Sequence, residues 1–192
     1  MRNLETPVCK YGVYGATSSL GSALLHELLA RQHEVVALVD DLNVFAARPG
    51  LRARRANPCD AASVGEGAAG CDALVYLHPR RAQGEPHSLY EVFDGLLAGL
   101  PPIRLNRLLV VADFAALEAD PSVQAALQRL ALHPLRWTLV DCPPSGFDLS
   151  LDDFQQAPLD ARRRTLLRIA AGIADELARP QHLHERIHFK LD

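Results

Sequence analysis

The sequence predicts an α/β protein with a doubly wound parallel sheet and helices on both faces, in three α/β/α layers. Short and nearly continuous apolar runs, such as Glu34–Val39 and Arg107–Ala112, are typical of parallel strands that are buried on both faces. Amphipathic helical patterns lie between such runs, as in Ser19–Arg31, where leucines repeat on one face. A glycine-rich turn joins the first run to the first helix.

The other elements alternate in the same way along the chain. Val8–Tyr14 is the first predicted strand, and Leu51–Ala56 is a weaker one because three arginines interrupt it. The remaining predicted segments are a helix over Asp60–Ala69, a strand over Ala73–Leu77, a helix from Ser88 to about Leu97, a helix over Pro121–Leu132, a strand over Trp137–Val140, a helix over Asp160–Arg179 and an edge strand over Arg186–Leu191. Asp60 is expected to cap its helix, Gly70 to stop it, and Pro121 to occupy a first helical turn.

The composition fits one domain that spans residues 1–192. The chain is 48% hydrophobic and 22% charged, and its net charge of −3 gives no electrostatic case for a nucleic-acid partner. No apolar run approaches the roughly 20 residues that cross a bilayer, so no membrane association is expected. Four scattered cysteines and the absence of an apolar leader predict a cytoplasmic protein with free thiols.

The segment Gly12-Val-Tyr-Gly15-Ala-Thr-Ser18-Ser-Leu-Gly21 is the most informative part of the sequence. A turn between a strand and a helix aims backbone N–H groups and the positive helix end at one point, as a pyrophosphate requires. Gly15 suits the tight turn and Gly21 suits close packing of the helix. Ser18 occupies the middle position, where its side chain would either crowd a phosphate or donate a hydroxyl to it. The segment predicts a Rossmann-like fold that binds a dinucleotide.

Asp40 ends the second strand, 19 residues after Gly21. An acidic residue at about this distance is placed to hydrogen-bond the 2′-hydroxyl of the adenine ribose. The Asp40 carboxylate, followed by Asp41, would also repel a 2′-phosphate. NAD(H) is therefore favoured over NADP(H) as the cofactor. The alternative that remains open is that the two aspartates only end a strand in solvent.

Four segments follow a known family in their order and spacing. Gly15–Gly21 corresponds to its GATGxxG, Arg31–Val39 to RGHEVTALV, Gly70–Val75 to GxDAVV and Arg107–Val111 to KRLLVV. The chain thus resembles the atypical short-chain dehydrogenases/reductases of the NAD(P)H-binding, NmrA-like kind, and among them the NADH–flavin reductases. The resemblance implies an oxidoreductase that reduces a flavin- or quinone-like acceptor.

The resemblance also implies cofactor contacts at the ends of several strands. The expected cofactor-binding residues are Gly15, Thr17, Ser18, Ser19, Leu20, Gly21, Asp40, Asn57, Pro58, Leu77 and His78. Asp40 stands where relatives that use NADP carry arginine. The region around 141–160 is shorter than the substrate-side region of relatives.

The chain lacks the Tyr-xxx-Lys pair of the usual short-chain dehydrogenase mechanism. Lys10 and Lys190 are its only lysines, and neither follows a tyrosine by four residues. Hydride transfer to a flavin or quinone needs no such pair, because the cofactors carry the chemistry. A reductase-like activity without this pair is therefore expected, with no catalytic residue assigned. The alternative is a non-catalytic dinucleotide-binding sensor or regulatory protein, and a homodimer is left open.

The remaining polar residues receive structural interpretations. His182, His184 and His188 are expected at a surface or sheet edge rather than in a zinc site, because no cysteine or carboxylate stands at ligand spacing. No metal site is predicted. Asp113 is interpreted as a loop acid, and the run Arg162–Arg164 as a solvated helix face.

Overall fold

The computed structural model describes residues 8–79, 88–143 and 148–189. The strands are β1 (Lys10–Tyr14), β2 (Glu34–Val39), β3 (Leu51–Arg55), β4 (Ala73–Leu77), β5 (Arg107–Ala112), β6 (Arg136–Asp141) and β7 (Glu185–His188). The helices are α1 (Ser19–Ala30), α2 (Ala61–Ala68), α3 (Leu89–Gly99), α4 (Phe114–Leu117), α5 (Pro121–Ala131) and α6 (Ala161–Ala178). Two short 3₁₀ segments cover Pro101–Ile103 and Asp152–Phe154.

Within the described residues, the seven strands form one parallel sheet in the order β3-β2-β1-β4-β5-β6-β7. The chain starts at β1, moves outward to β3, and then continues on the other side of β1 with β4. Because all strands run in one direction, their carboxyl ends lie at one edge of the sheet. The reversal of direction between β1 and β4 opens a crevice at that edge, where ligands of open α/β sheets bind.

Helices cover both faces of the sheet, and each face has its own apolar core. Leu24 of α1 and Ile173 of α6 are fully buried on one face together with Val13 of β1. Phe93 of α3 and Leu130 of α5 are fully buried on the other face. This arrangement confirms the predicted three-layer, doubly wound, Rossmann-like fold.

The helix ends follow the capping residues expected from the sequence. The Asp60 carboxylate accepts a hydrogen bond from the Ser63 N–H at the start of α2, and Gly70 adopts a φ of +75° just beyond its end. Pro121 occupies the first turn of α5, and Asp160 caps α6. These local signals specify the helix boundaries because each satisfies backbone groups that the helix leaves unpaired.

Besides shifts of one or two residues at element ends, two details differ from the sequence-based expectations. The short helix α4 was not expected, because Asp113, which precedes it, was interpreted as a loop acid. The expected solvated face of Arg162–Arg164 is wrong for Arg163, whose guanidinium donates to the carbonyls of Asp153, Gln156 and Pro158. The edge strand is found as β7, and its predicted last two residues lie outside the described chain. Residues 80–87, between β4 and α3, also lie outside it.

A buried ion pair fastens α6 to the amino edge of the sheet. Arg107 Nη2 lies 3.0 Å from Glu176 Oε1, and both side chains are almost fully buried. Burial lowers the pKa of Arg107 to about 10, so the guanidinium stays charged at neutral pH. Burial acts to raise the pKa of Glu176, but hydrogen bonds from His182 and Gln181 and the charge of Arg107 bring it below its ordinary value.

Across the described ranges, no helix combines the length and the apolar character needed to cross a membrane.

Candidate functional site

The turn between β1 and α1 requires glycine at both of its ends. Gly15 has a φ of +72°, and a Cβ atom there would lie 2.5 Å from the carbonyl oxygen of Leu77. A Cβ atom on Gly21 would lie 2.2 Å from the carbonyl oxygen of Gly15 and 2.8 Å from the carbonyl carbon of Ala16. Both neighbours are backbone atoms that cannot rotate away. The glycines therefore allow the turn to close and the helix to start directly against it.

Ser18 closes this turn with its own side chain. Its Oγ donates to the Gly15 carbonyl at 2.8 Å and accepts from the Gly21 N–H at 3.0 Å, which makes Ser18 the N-cap of α1. The sequence left two roles open for this hydroxyl, crowding a phosphate or donating to it. The structure directs its hydrogen bonds into the turn instead. The other amide groups of the first helical turn and the positive end of α1 face the carboxyl edge.

The two serines of the turn differ in environment. Thr17 and Ser18 are exposed and Leu20 is partly buried, whereas Ser19 is buried. The Ser19 Oγ accepts a hydrogen bond from the Leu149 N–H at 2.8 Å. Residues 148–154, which follow β6, are thus held against the start of α1.

Asp40 lies exposed at the carboxyl end of β2. Its backbone carbonyl accepts a hydrogen bond from Nε of Arg55, at 3.1 Å, so a guanidinium lies beside the acidic pair. The Asp41 carboxylate accepts from the N–H of Asn43 at 2.9 Å and is committed to the local turn. Both aspartates are exposed, and Oδ1 of Asp41 is already bonded within the local turn.

Asn57 and Pro58 form a tight corner after β3. The Asn57 Oδ1 accepts from the Cys59 N–H at 3.0 Å, and the Asn57 N–H donates to the Ser63 Oγ at 2.8 Å. A Cβ atom on Gly95 of α3 would lie 2.2 Å from the Pro58 carbonyl oxygen, so the corner packs directly on that helix. The backbone of this corner is fixed from both sides.

Leu77 and His78 continue the same edge at the end of β4. Leu77 is buried and touches Gly15, whereas His78 is partly exposed. The His78 N–H donates to the Val111 carbonyl at 2.8 Å, and its Nδ1 lies 3.2 Å from the Tyr76 hydroxyl. All predicted cofactor-binding residues thus belong to the β1–α1 turn or to the carboxyl ends of β2, β3 and β4.

Tyr14 immediately precedes the glycine turn and carries a buried hydroxyl group. Its ring packs edge-on against Tyr76, with centroids 6.1 Å apart. The hydroxyl is buried and finds no hydrogen-bond partner among the described residues, and burial raises the pKa of Tyr14.

The sequence did not single out Asp141, a buried carboxylate at the end of β6. Its Oδ1 accepts from the Phe114 N–H at 3.0 Å, and its Oδ2 lies 2.6 Å from Arg186 Nη2 and 3.0 Å from His188 Nδ1. Burial acts to raise the pKa of Asp141, but the hydrogen bond and charge of Arg186 bring it below the ordinary value. Asp113, interpreted from the sequence as a loop acid, caps α4 by accepting from the Ala116 N–H.

The three late histidines lie at the edge strand or before it, as expected. His182 faces Glu176, His184 Nε2 lies 3.0 Å from the Leu135 carbonyl, and His188 faces Asp141. Among the residues that the structure describes, no group of three or more histidine, cysteine, aspartate or glutamate side chains is placed to hold a metal ion.

Solved structures share this fold at low sequence identity. A Rossmann-fold NAD(P)-binding family protein from Shigella flexneri is 15% identical with a TM-score of 0.67, over 95% of this chain and 93% of that one. A candidate epimerase from Bacteroides thetaiotaomicron is 19% identical with a TM-score of 0.67, over 95% and 96%. The Bordetella bronchiseptica enzyme WbmH, in complex with NAD+, is 15% identical with a TM-score of 0.64, over 96% and 76%.

No curated protein matches the sequence significantly. A family model described as NAD(P)H-binding matches residues 15–140, from the first glycine of the turn to the end region of β6. That span includes the β1–α1 turn and the carboxyl ends of β2, β3 and β4, and it agrees with the resemblance to atypical short-chain dehydrogenases/reductases. The chain belongs to this NAD(P)H-binding family.

Proposed function

We propose that this protein binds NAD(H) across the carboxyl edge of its sheet and transfers hydride to a flavin- or quinone-like acceptor. The observation that carries the proposal is the turn from Gly15 to Gly21. At each of these two glycines, backbone atoms approach so closely that no side chain would fit. Such a surface of backbone amides at a helix start suits a pyrophosphate. The residues present therefore fit a dinucleotide.

Each end of the cofactor would meet different groups. The amides of Thr17 and Leu20, together with the positive end of α1, would hold the pyrophosphate, with the Thr17 side chain exposed beside it. Asp40 would accept a hydrogen bond from the ribose 2′-hydroxyl, and its charge would oppose a 2′-phosphate. The corner at Asn57 and Pro58 would border the adenine. We accordingly propose a preference for NAD(H) over NADP(H).

The reacting end would lie beyond Leu77 and His78, toward the ends of β5 and β6. When bound, the nicotinamide supplies the hydride, so the protein needs to orient it and exclude water. No lysine stands near a tyrosine in the pattern of the usual short-chain dehydrogenases. The reaction at this edge of the sheet therefore suits an acceptor that takes up two electrons without the help of a tyrosine–lysine pair. We propose that the region around 141–160, which begins at the end of β6, forms the acceptor side.

A second candidate function is a non-catalytic sensor that binds the dinucleotide and changes partner contacts. Three polar groups favour it, because each is already bonded within the protein: the hydroxyls of Ser18 and Ser19 and the carboxylate of Asp113. A protein with these groups committed to structure can still hold a cofactor through its backbone.

Titration with NADH and with NADPH, followed by fluorescence and thermal shift, tests the cofactor. We expect saturable binding of NADH and weaker binding of NADPH, and no response to either at millimolar concentration would refute the proposal. NADH oxidation is then followed with FMN, FAD and quinones supplied in turn. Binding without oxidation by any acceptor would favour the sensor over the reductase.

We also propose that the protein is cytoplasmic. Its four cysteines are free thiols, which suits the reducing cytoplasm. A homodimer stays a prediction, and sedimentation of the purified protein with and without NADH measures it directly.

A further inference from the structure

Arg55 is the last residue of β3, and its side chain reaches over the end of the neighbouring strand β2. In the register of the sheet Arg55 pairs with Val39, the last residue of β2, and its Nε donates to the backbone carbonyl of Asp40 at 3.1 Å. Both Arg55 and Asp40 are exposed to solvent. A guanidinium therefore lies at the carboxyl edge, beside the residue that is proposed to meet the adenine ribose.

The hydrogen bond through Nε leaves the outer end of this guanidinium open. Among the described residues, no carboxylate lies within ion-pair distance of Nη1 or Nη2 of Arg55, and Nε makes the only hydrogen bond of the side chain. The two outer nitrogens of a guanidinium carry parallel N–H groups, which match two oxygens of a phosphate. Arg55 is thus anchored at one end and presents an unused fork for an anion at the other.

The other two arginines of β3 have different surroundings. Arg54 Nη1 donates to the carbonyls of Gly67 and Ala69 at the end of α2, both at 3.0 Å, and is committed to the structure. Arg52 is exposed, but it lies three residues nearer to the amino edge, about 10 Å away along the strand. Of the three, Arg55 is the one at the cofactor edge.

We propose that Arg55 binds the 2′-phosphate of NADP(H), so that the site accepts both dinucleotides and prefers NAD(H) only modestly. The inference rests on the proposed function, since it names the group that sets the cofactor range of the same site. The ribose oxygen that would bond to Asp40 in NAD(H) carries the phosphate in NADP(H). That phosphate would extend beyond Asp40 to the open fork of Arg55.

The sizes of the opposing effects predict a small difference between the two cofactors. Two unit charges that lie 4 Å apart in water change an affinity by about fivefold, which sets the scale of the repulsion by exposed Asp40. A charge-assisted, bidentate contact with a phosphate contributes about tenfold or more in the other direction. NAD(H) keeps the hydrogen bond from its ribose hydroxyl to Asp40, which NADP(H) lacks. We therefore expect the Kd of NADPH to exceed that of NADH by no more than about tenfold.

Titration of Arg55→Gln and Arg52→Gln with both cofactors tests the assignment. Arg52→Gln is the matched control, because it removes the same charge from an exposed position on the same strand. For Arg55→Gln we expect the Kd of NADPH to rise about tenfold or more, while that of NADH stays within about twofold of wild type. For Arg52→Gln we expect both values to stay within about twofold, since about 10 Å of screened solvent separates the charge from the site.

The outcomes separate this inference from the function on which it rests. An Arg55→Gln protein that binds NADPH as wild type does overturns the inference. Equal weakening of both cofactors also overturns it, because the side chain would then only hold the backbone of Asp40, and so does an equal loss of NADPH affinity in Arg52→Gln. Wild-type protein that binds NADH but not NADPH at millimolar concentration refutes the phosphate contact and leaves the cofactor site intact. Wild-type protein that binds neither refutes the proposed function itself.

A second measurement uses the wild-type protein and needs no turnover. Adenosine 2′,5′-bisphosphate and adenosine 5′-monophosphate differ only in the 2′-phosphate, and NMR follows the side-chain Nε–H signals of Arg55 and Arg52 during titration with each. We expect the Arg55 signal to move with the bisphosphate and to stay in place with the monophosphate, and the Arg52 signal to stay in place with both. An Arg55 signal that does not move up to millimolar bisphosphate, or that moves equally with the monophosphate, overturns the inference.

Discussion

Replacing Gly21 with alanine should destabilise the protein and weaken the cofactor site together. The new Cβ atom would start 2.2 Å from the Gly15 carbonyl oxygen, so α1 must recede by about 0.8 Å to reach even 3.0 Å. This movement pulls on Leu24 and Leu28, which are fully buried against the sheet. Overpacking of this kind costs about 1–3 kcal/mol and occasionally more, against a helix-propensity gain below about 1 kcal/mol. We expect a net loss of about 2 kcal/mol.

Thermal unfolding and NADH titration measure the two effects of Gly21→Ala. For a chain of this size, about 2 kcal/mol corresponds to a Tm lower by roughly 4–8 °C. NADH affinity should fall at least about tenfold, because the amides of the turn move with α1. Gly65→Ala is the control: it also lies inside a helix, but its Cβ atom would have 3.5 Å to the nearest atom, the Gly99 carbonyl oxygen. Equal Tm values for the two variants, or unchanged NADH affinity in Gly21→Ala, would refute the steric argument.

Three further changes test separate parts of the molecule. Asp40→Arg should shift preference toward NADPH in competitive titrations, and an unchanged ratio of affinities would remove Asp40 from the ribose site. Ser18→Ala should cost about 1 kcal/mol in urea unfolding by removing the cap of α1, whereas Ser18→Gly should cost only a few tenths; equal costs would contradict the capping role. Glu176→Gln should cost about 3–5 kcal/mol because it leaves the buried Arg107 charge unpaired, and a loss below 1 kcal/mol would contradict this. Since folding lowers the pKa of Glu176, its contribution is complete above the unfolded value of about 4.5 and is lost as pH falls through the folded value. Urea midpoints measured down this acid range should fall more steeply for wild type than for Glu176→Gln.

The fold could be predicted wherever local sequence and burial agree. Ala73–Leu77 and Arg107–Ala112 have the predicted bounds, because central parallel strands are apolar on both faces and end sharply at polar residues. Helix α4 escaped prediction because four residues make one turn and show no period. The prediction for Arg163 is wrong, although a run of charges is ordinarily solvated. Its role depends on carbonyls of residues 153–158, which tertiary structure brings to it.

The residues of the candidate site, too, could be predicted from the sequence only in part. Gly15 and Gly21 were identifiable from sequence, since their roles are set by backbone geometry within one turn. The alternatives for Ser18 could not be separated, because a hydroxyl there can face either a ligand or the turn. The contact between Asp141 and His188 depends on the register of β6 and β7. Neither strand's own pattern specifies that register, and the two residues were therefore not connected.

The packing of α1 against α6 has a consequence for the synthesis of this chain. α1 is made well before α6, yet the core that buries Leu24 also includes Ile169 and Ile173 of α6. Until α6 is made, the part of this sheet face that α6 covers stays exposed, and Arg31 lacks its ion-pair partner Asp175. A ribosome halted after residue 140 would carry the complete glycine turn with this face open, and such a nascent chain would be a target for chaperones that bind exposed apolar surface.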